Sequence, residues 1–383
     1  MHKSVKLSLS GCQLNYTCNS LQMTIKMATP SLMMLQPVPK INSSDQHNNS
    51  TFKPSGFGLS CFTMIFGTIS NLTALGLLVK SRVRFRRQSK TPFLMLTIAL
   101  LMADLGGHLI PGACAVYLHI GQLYKMQSLQ SDSNLCQFFG ATMVFFGLCP
   151  LLFGCAMAVE RCVAITQPFF HASMITVTHI QRAVLLLSSL ALVMSLLPFV
   201  FETKYTIQQP NTWCFLKIHT RKTEANDTNL ALAFSVLGLS ALIFSQLCNI
   251  LSGLVLLHGR MKSSSIHKMP PVHYARRAST ITSSSSFCTL DVEMMVQLAV
   301  ITVISCVCWS PFLVHILVMQ LNQSGSAHAK DCTLLSLRMA SWNQILDPWV
   351  YILFRRTVLF RVCCGLYTQR HRDTEAKRLK VVT

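Results

Sequence analysis

Arg338 sits inside the stretch Leu337 to Arg356, LRMASWNQILDPWVYILFRR, an apolar run of membrane length. A lone guanidinium at membrane depth costs roughly 2.5 to 3.5 kcal/mol on insertion scales, so it needs an anion or a face on water. Two acids, Asp104 and Asp347, also fall within apolar runs, the latter nine residues on from Arg338, roughly two and a half helical turns deeper. A pair with an acid of the same bundle and the capture of an anionic ligand are therefore the two chemistries open to Arg338. Elsewhere Glu160 and Arg161 adjoin at the end of another apolar run, Cys136 opens that run, and Cys214 lies between two others, inside QQPNTWCF. The 16 cysteines are too scattered for a disulfide framework, and no C-x-x-C pair points to zinc. Without a phosphate loop, zinc motif or nucleophile elbow, these residues point to binding rather than to an enzyme, and no cofactor or metal is implied.

The elements that position these residues follow from composition. Of 383 residues 51% are hydrophobic and only 12% charged, with a mean hydropathy of +0.44; an ordinary soluble domain carries about 25% charged residues. The charges are clustered, and the stretches between them approach the roughly 20 residues a helix needs to cross hydrocarbon. Backbone groups in lipid must be satisfied within the segment, so these stretches are helices. Seven are read: 56–79, 91–118, 136–159, 183–201, 228–257, 294–319 and 333–353. The fold class is all-α, a seven-transmembrane helix bundle. A net charge of +20 would suggest nucleic acid in a soluble protein, but the basic residues sit in loops and tail, and no nucleic-acid partner is implied.

Direction follows from Lys and Arg in the short loops. The first loop, KSRVRFRRQSK from Lys80 to Lys90, is dense in base, whereas the next carries only Lys125. The first loop is thus cytoplasmic and the N-terminus outside, as expected of a multi-pass plasma-membrane protein that lacks a cleavable signal. Glycosylation sequons agree: those headed by Asn15, Asn42, Asn48, Asn49, Asn226 and Asn322 all fall outside, and only the one at Asn71 lies in a span. Three parts result: a disordered extracellular segment over 1–53, the helical domain over 54–354, and a cytoplasmic tail over 355–383. The third inner loop, His258 to about Leu290, is Ser-rich and reads as a flexible linker.

Cys136 and Cys214 both face the oxidising side, so a bridge between them is chemically allowed and would pin the second outer loop across the bundle mouth; two unrelated thiols are the alternative. Cys12, Cys18 and Cys332 are outside as well, with their pairing open. Taken with seven spans, several further motifs complete a pattern: Asn71 in the first span, Asp104 in the second, Glu160-Arg161-Cys162 ending the third, Cys308-Trp309-Ser310-Pro311 in the sixth and Asp347-Pro348-Trp349-Val350-Tyr351 in the seventh. As an ordered set they resemble the rhodopsin-like G protein-coupled receptors over about residues 56 to 366. GLCPLLFGCAMAVERC, PNTWCF and LRMASWNQILDPWVYIL are similar to the prostanoid receptors. These strings, with DVEMMVQL from Asp291, are most similar to the members that bind prostaglandin E and mobilise calcium, with the prostaglandin F receptors as nearest rival.

The resemblance implies a twenty-carbon lipid ligand, prostaglandin E2, whose carboxylate meets Arg338 in a charge-assisted pair. Thr212 corresponds to an outer-loop threonine that also bonds the carboxylate, and Trp213 packs in the loop that roofs the site. A third partner is usually a tyrosine at the outer end of the second helix; that position reads His119, with Tyr117 on another helix face. Met143 and Trp342 match apolar pocket positions, and Met143 replaces the aspartate of amine receptors. Asp104, Asn343, Asp347 and Asn71 match a cluster that holds sodium in related receptors. A serine of that cluster is Pro150 here, so a proton shared between the two acids is the expectation instead.

For signalling, the resemblance implies that Trp309 and Pro311 mark a kink in the sixth helix, that Asp291 pairs with Arg161 at rest, and that Tyr351 belongs to the same switch. Arg161 with Pro168 and Phe169 of the second inner loop then meets a G protein, of the Gq class by resemblance, acting through phospholipase C and calcium. Kinases and arrestin are further partners, with Arg276-Arg277-Ala278-Ser279 as a phosphorylation segment. After Tyr351, FRRTVLFRVCCGLY reads as a short amphipathic cytoplasmic helix, ending in palmitoylation candidates Cys363 and Cys364. Prostaglandin F or thromboxane specificity and another G protein class are the alternatives. A seven-span transporter or channel is the rival class, and it predicts broken helices and repeats that this sequence lacks.

Overall fold

The computed structural model describes residues 55–84, 91–124, 133–218, 225–266, 278–322 and 332–353. Asn15, Asn42, Asn48, Asn49, Cys12, Cys18, Arg276, Arg277, Cys363, Cys364 and the amphipathic helix of the tail lie outside the described residues, as do the side chains of Asp291 and Asn322.

Among the described residues seven long helices are present: Ser55–Arg84, Thr91–Leu123, Ser133–Thr166, Val177–Val200, Ala225–Ile266, Ala278–Asn322 and 332–353. The first six are long and apolar enough to cross a membrane; the seventh trades apolarity for Arg338, Asn343, Gln344 and Asp347. Six contain their sequence-derived spans whole and the fourth stops one residue short, at Val200; nearly all extend past the span at one end or both, because elongating an existing helix fixes one residue for one new hydrogen bond. This corrects the linker reading of the third inner loop: the fifth helix continues to Ile266 and the sixth begins at Ala278, so helix occupies most of 258–290. The Ser-rich run from Ala278 to Leu290 lacks apolar periodicity but contains no helix breaker, and Ser is only mildly unfavourable in a helix; Pro270 and Pro271 of the same loop lie outside the described residues.

Burial ranks the helices. In the third, 56% of the apolar window is buried, against 17% in the fourth, so the third is the axis and the fourth faces lipid. The fourth buries only Ile180, Ala191, Ser195 and Pro198. Between the third and fourth runs a seven-residue helix, Pro168–Met174, started by proline, whose missing N–H costs nothing at a first helical position.

The second outer loop adds structure that an all-α reading omits. Strands β1 (Thr206–Gln208) and β2 (Trp213–Phe215) pair antiparallel in the register Thr206 to Phe215, Ile207 to Cys214 and Gln208 to Trp213. Asn211 turns the hairpin with φ 68°, a conformation asparagine tolerates better than most residues. Cys214 is bridged to Cys136 with their Cα atoms 5.5 Å apart, which resolves the alternative of two unrelated thiols. Glutamines complete the clasp. Gln137 donates to the Tyr205 carbonyl at 3.0 Å and accepts from its N–H at 3.0 Å, while Gln122 donates to the Pro210 and Asn211 carbonyls at 3.0 and 2.9 Å. Cys332, at the start of the seventh helix, is also disulfide-bonded.

Tyr205 is the hinge of this lid. It is buried, donates to the Ser195 carbonyl at 2.8 Å, and its phenol pKa is pushed up by that burial. A β-carbon at Gly140 would overlap its ring, whereas one at Gly154 of the same helix meets nothing within 4 Å. Gly140→Ala is therefore expected to cost about 1 to 3 kcal/mol of stability through overpacking, and Gly154→Ala is expected to be neutral. Thermal unfolding of the purified variants checks the pair.

Candidate functional site

Beneath the hairpin lies a cavity walled by the first, second, third and seventh helices, with Trp309 of the sixth at its edge. Arg338, Thr212, Trp213, His119, Met143 and Trp342, distant in sequence and each singled out there, all line it. Their meeting has local causes. The bridge and glutamine clasp lower the Thr212–Trp213 end of the hairpin onto the third helix, and helical spacing brings Arg338 and Trp342, four residues apart, onto one face.

Arg338 is exposed rather than sealed in the bundle, so the cavity supplies the water-facing outlet that its charge requires. Among the described residues the ion pairs are Arg161 with Glu160, His171 with Glu160 and Lys217 with Asp227. Arg338 thus has no acid partner among them, and the structural-pair reading fails for Asp104 and Asp347. Those acids sit deeper in the bundle, fully enclosed at 0% and 1% exposure. Asn343 donates to Asp347 at 3.0 Å, while both oxygens of Asp104 lack a protein partner. Asn71 turns away from the acids, donating to the Gly67 and Gln344 carbonyls at 3.0 Å each. Its burial also explains why a sequon there is unreachable.

His119 is buried at the cavity wall with Nε2 3.2 Å from Ser60 Oγ and Nδ1 unpartnered. Tyr117 is exposed and does not line the cavity, as its different helix face requires. Trp213 is buried and donates through Nε1 to the Gln209 carbonyl at 3.1 Å, which fixes the indole as part of the roof.

Among the polar lining residues that sequence reasoning missed are His108 and Gln344. His108 is buried with Nε2 unpartnered, and its ring packs so closely on Gly67 that a β-carbon there would overlap it. Gln344 donates to the Phe146 carbonyl at 3.1 Å and rests on Gly107, where a β-carbon would lie 2.7 Å from its amide nitrogen. The signal was present: a histidine one turn beyond Asp104, in an otherwise uncharged span, is a functional hypothesis by default.

The roof reaches the sixth helix through aromatic contacts. Phe215 of β2 meets Phe312 edge-on at 5.5 Å and Phe234 at 5.3 Å, and Phe312 meets Trp309 at 6.3 Å. Gly147 makes room for the indole, since a β-carbon there would lie 3.1 Å from it.

At the opposite end of the bundle, Arg161 is buried and donates through Nε and Nη2 to Glu160, each at 2.5 Å. Its guanidinium lies 4.9 Å from the centre of the Phe93 ring, and Nη1 approaches the Met294 sulfur at 3.8 Å. Met294 is three residues after Asp291 on the same helix. Tyr351 is buried, with its hydroxyl 3.6 Å from the Met157 sulfur. Pro311 lies inside the sixth helix. Phe169 is 89% exposed on the short connecting helix, and Asn226 is exposed at the start of the fifth.

A cavity roofed by a bridged hairpin at one end, and a Glu-Arg pair closing the other, defines a seven-helix receptor. Residues 76 to 351 match the family of 7 transmembrane receptors (rhodopsin family), and the chain belongs to it. A crystal structure of squid rhodopsin superimposes with a TM-score of 0.65 over 82% of this chain and 88% of that one, at 16% identity, which speaks for the fold alone. Within the family the chain is a prostanoid receptor, a multi-pass membrane protein and not an enzyme. It is 40% identical to the prostaglandin F2-alpha receptor of Homo sapiens over 315 residues, 80% of this chain and 82% of that receptor. It is also 40% identical to the prostaglandin E2 receptor EP1 subtype of Mus musculus over 350 residues, 82% of this chain and 84% of that receptor.

Proposed function

We propose that the protein is a receptor for prostaglandin E2 that signals through a Gq-class G protein to phospholipase C and calcium, with its N-terminus and hairpin outside the cell. The observation that carries a carboxylate ligand is Arg338, lining a roofed cavity without an acid partner among the described residues. The ligand carboxylate accepts hydrogen bonds from the guanidinium and from the Thr212 hydroxyl. His119, whose Nδ1 is unpartnered, supplies the third polar contact. Met143, Trp342 and Trp213 cover the apolar chains. Prostaglandin F is the second reading, because relatives named for either ligand share 40% identity with this chain.

A ligand shifts a two-state bundle only by its differential affinity for the states. Trp309 borders the cavity and sits two residues from Pro311, where the missing backbone hydrogen bond loosens the sixth helix. Outward movement of that helix separates Asp291 from Arg161 and opens a surface formed by Arg161, Pro168 and Phe169 for the G protein.

Arg338→Gln is expected to weaken agonist potency by about 1.5 to 3 kcal/mol, roughly ten- to more than a hundredfold, with normal surface expression. Calcium and cyclic AMP responses of transfected cells to prostaglandins E, F, D and a thromboxane mimic read this loss. The same panel decides the ligand: a calcium response led by prostaglandin F would replace the E assignment, and a cyclic AMP response would replace Gq. Neutral His119 donates to the carboxylate, so His119→Phe should weaken binding by about 0.5 to 1.5 kcal/mol, as radioligand binding would show. Asp291→Asn should raise ligand-independent signalling; an unchanged basal inositol phosphate level would remove the latch.

A further inference from the structure

Two polar side chains of the fifth helix, Gln246 and Asn249, lie within its apolar window and reach across to the sixth. Asn249 Nδ2 donates to Thr302 Oγ1 at 2.8 Å, and Gln246 Nε2 donates to Cys306 Sγ at 3.1 Å. Gln246 precedes Asn249 by three residues and Cys306 follows Thr302 by four, so the two pairs stand one turn apart along antiparallel helices. The Asn249 pair is buried, while the Gln246 pair is half-buried beside the exposed side chains of Ile243, Leu247, Val303 and Val307. Thr302 also donates to the Leu298 carbonyl at 2.9 Å. Asn249 Oδ1 lacks a partner, so Thr302 is what holds that amide among the described residues. Toward the cavity Gly238 admits Leu313 of the sixth helix, since a β-carbon there would lie 2.9 Å from its Cδ1. Among the described residues the sixth helix packs more extensively on the fifth than on the third. The fifth meets the third through softer polar contacts, Cys155 with Ser245 and Cys162 with Cys248, and a thiol is a weak donor and a weak acceptor.

We infer that the fifth and sixth helices move as one body, with Asn249 and Thr302 as the positioning pair that joins them. This rests on the reading of the sixth helix as the element that the switch displaces. Hydrocarbon offers no water to a separated amide. If the sixth helix left alone, Thr302 would keep its bond to Leu298, but Asn249 would lose its protein partner altogether and Gln246 would lose the acceptor of its N–H. An unpartnered polar group in an apolar surrounding is costly, and polar side chains act as glue between helices in lipid for that reason. The thiol contacts between the third and fifth helices are weaker and yield first. The displacement is therefore taken up between the third and fifth helices, and the opening beside Arg161 is bordered by the fifth and sixth together.

The test uses the full-length protein in nanodiscs, spin-labelled through a noncanonical amino acid so that native thiols stay untouched. The labels stand at exposed positions, Leu185 of the fourth helix, Leu257 of the fifth and Val296 of the sixth, and pulsed electron resonance reads the 257–296 and 185–296 separations. Without ligand, Asn249→Leu combined with Thr302→Val is expected to broaden the 257–296 distribution, and Thr302→Ser, which keeps the hydroxyl, to preserve it. Gln246→Leu combined with Cys306→Val makes the same comparison if the first combination fails to fold. An unchanged 257–296 distribution in the folded variant, even with a lower unfolding temperature, overturns the inference. With whichever of prostaglandins E, F, D or the thromboxane mimic raises a response, 185–296 should lengthen while 257–296 holds, and both should lengthen in the variant. Equal lengthening of both in the intact protein overturns joint motion. No lengthening of 185–296 with any of these ligands counts against the ligand and switch readings, and the ligand-free comparison still decides the inference.

Discussion

The organising constraint of this bundle is a guanidinium that must not be left in hydrocarbon. Arg338 satisfies it by opening onto a cavity instead of pairing with Asp104 or Asp347. A roof over that cavity lowers the local dielectric, which strengthens the pull of the guanidinium on an anion while a route to water stays open. The bridged hairpin is that roof, and much of the described outer structure serves to fix it: the Cys136 bridge, the clasps of Gln122 and Gln137, and Tyr205 filling the space left by a glycine. Lys217 adds a partly buried pair with Asp227 at 3.4 Å, tying the exit of the hairpin to the fifth helix.

The two ends of the bundle treat charge differently. At the cavity end a cation is presented without an anion. At the other end Arg161 is buried at 5% exposure and fully engaged by Glu160. Removing a partner from a buried pair is expensive, because the remaining charge is stranded. If Arg161 is the switch, as proposed, the arrangement seen here is held by a local pair that opens only when something else compensates.

Much of this was legible in the sequence because membrane residence simplifies the code. Apolar length fixes the helices, and a polar residue at depth stands out against its neighbours. Arg338, Asp104, Asp347 and Asn71 are visible for that reason, and resemblance gathered Thr212, Trp213, His119, Met143 and Trp342 into one expected site whose members line one cavity. The hairpin was not legible: its strands are three residues each, too short to establish alternation, and its pairing depends on a disulfide and side-chain clasps from two helices. His171 was not legible either, since its partner lies eleven residues back and its helix is too short to show a buried face. His108 and Gln344 stood in plain view, yet their significance needed the glycines opposite them, Gly67 and Gly107, which only packing pairs with them.

Communication between the ends has a physical route that neither site contains alone. Interdigitated rings resist continuous deformation, because a small gap forfeits much of the dispersion energy. Phe215 carries the roof onto Phe312 and Phe234, and Phe312 carries it onto Trp309. Trp309 has almost no free space on the side of the third helix, where Gly147 alone admits it. A ligand that presses on the roof or on the indole therefore cannot be absorbed by local slack there. The softer direction is along the sixth helix at Pro311, where a backbone hydrogen bond is missing, and that helix passes beside Arg161 at Met294. On the proposed reading of Trp309 and Pro311 as parts of the switch, the tight ring contacts transmit the displacement and the weakened helix determines where it appears.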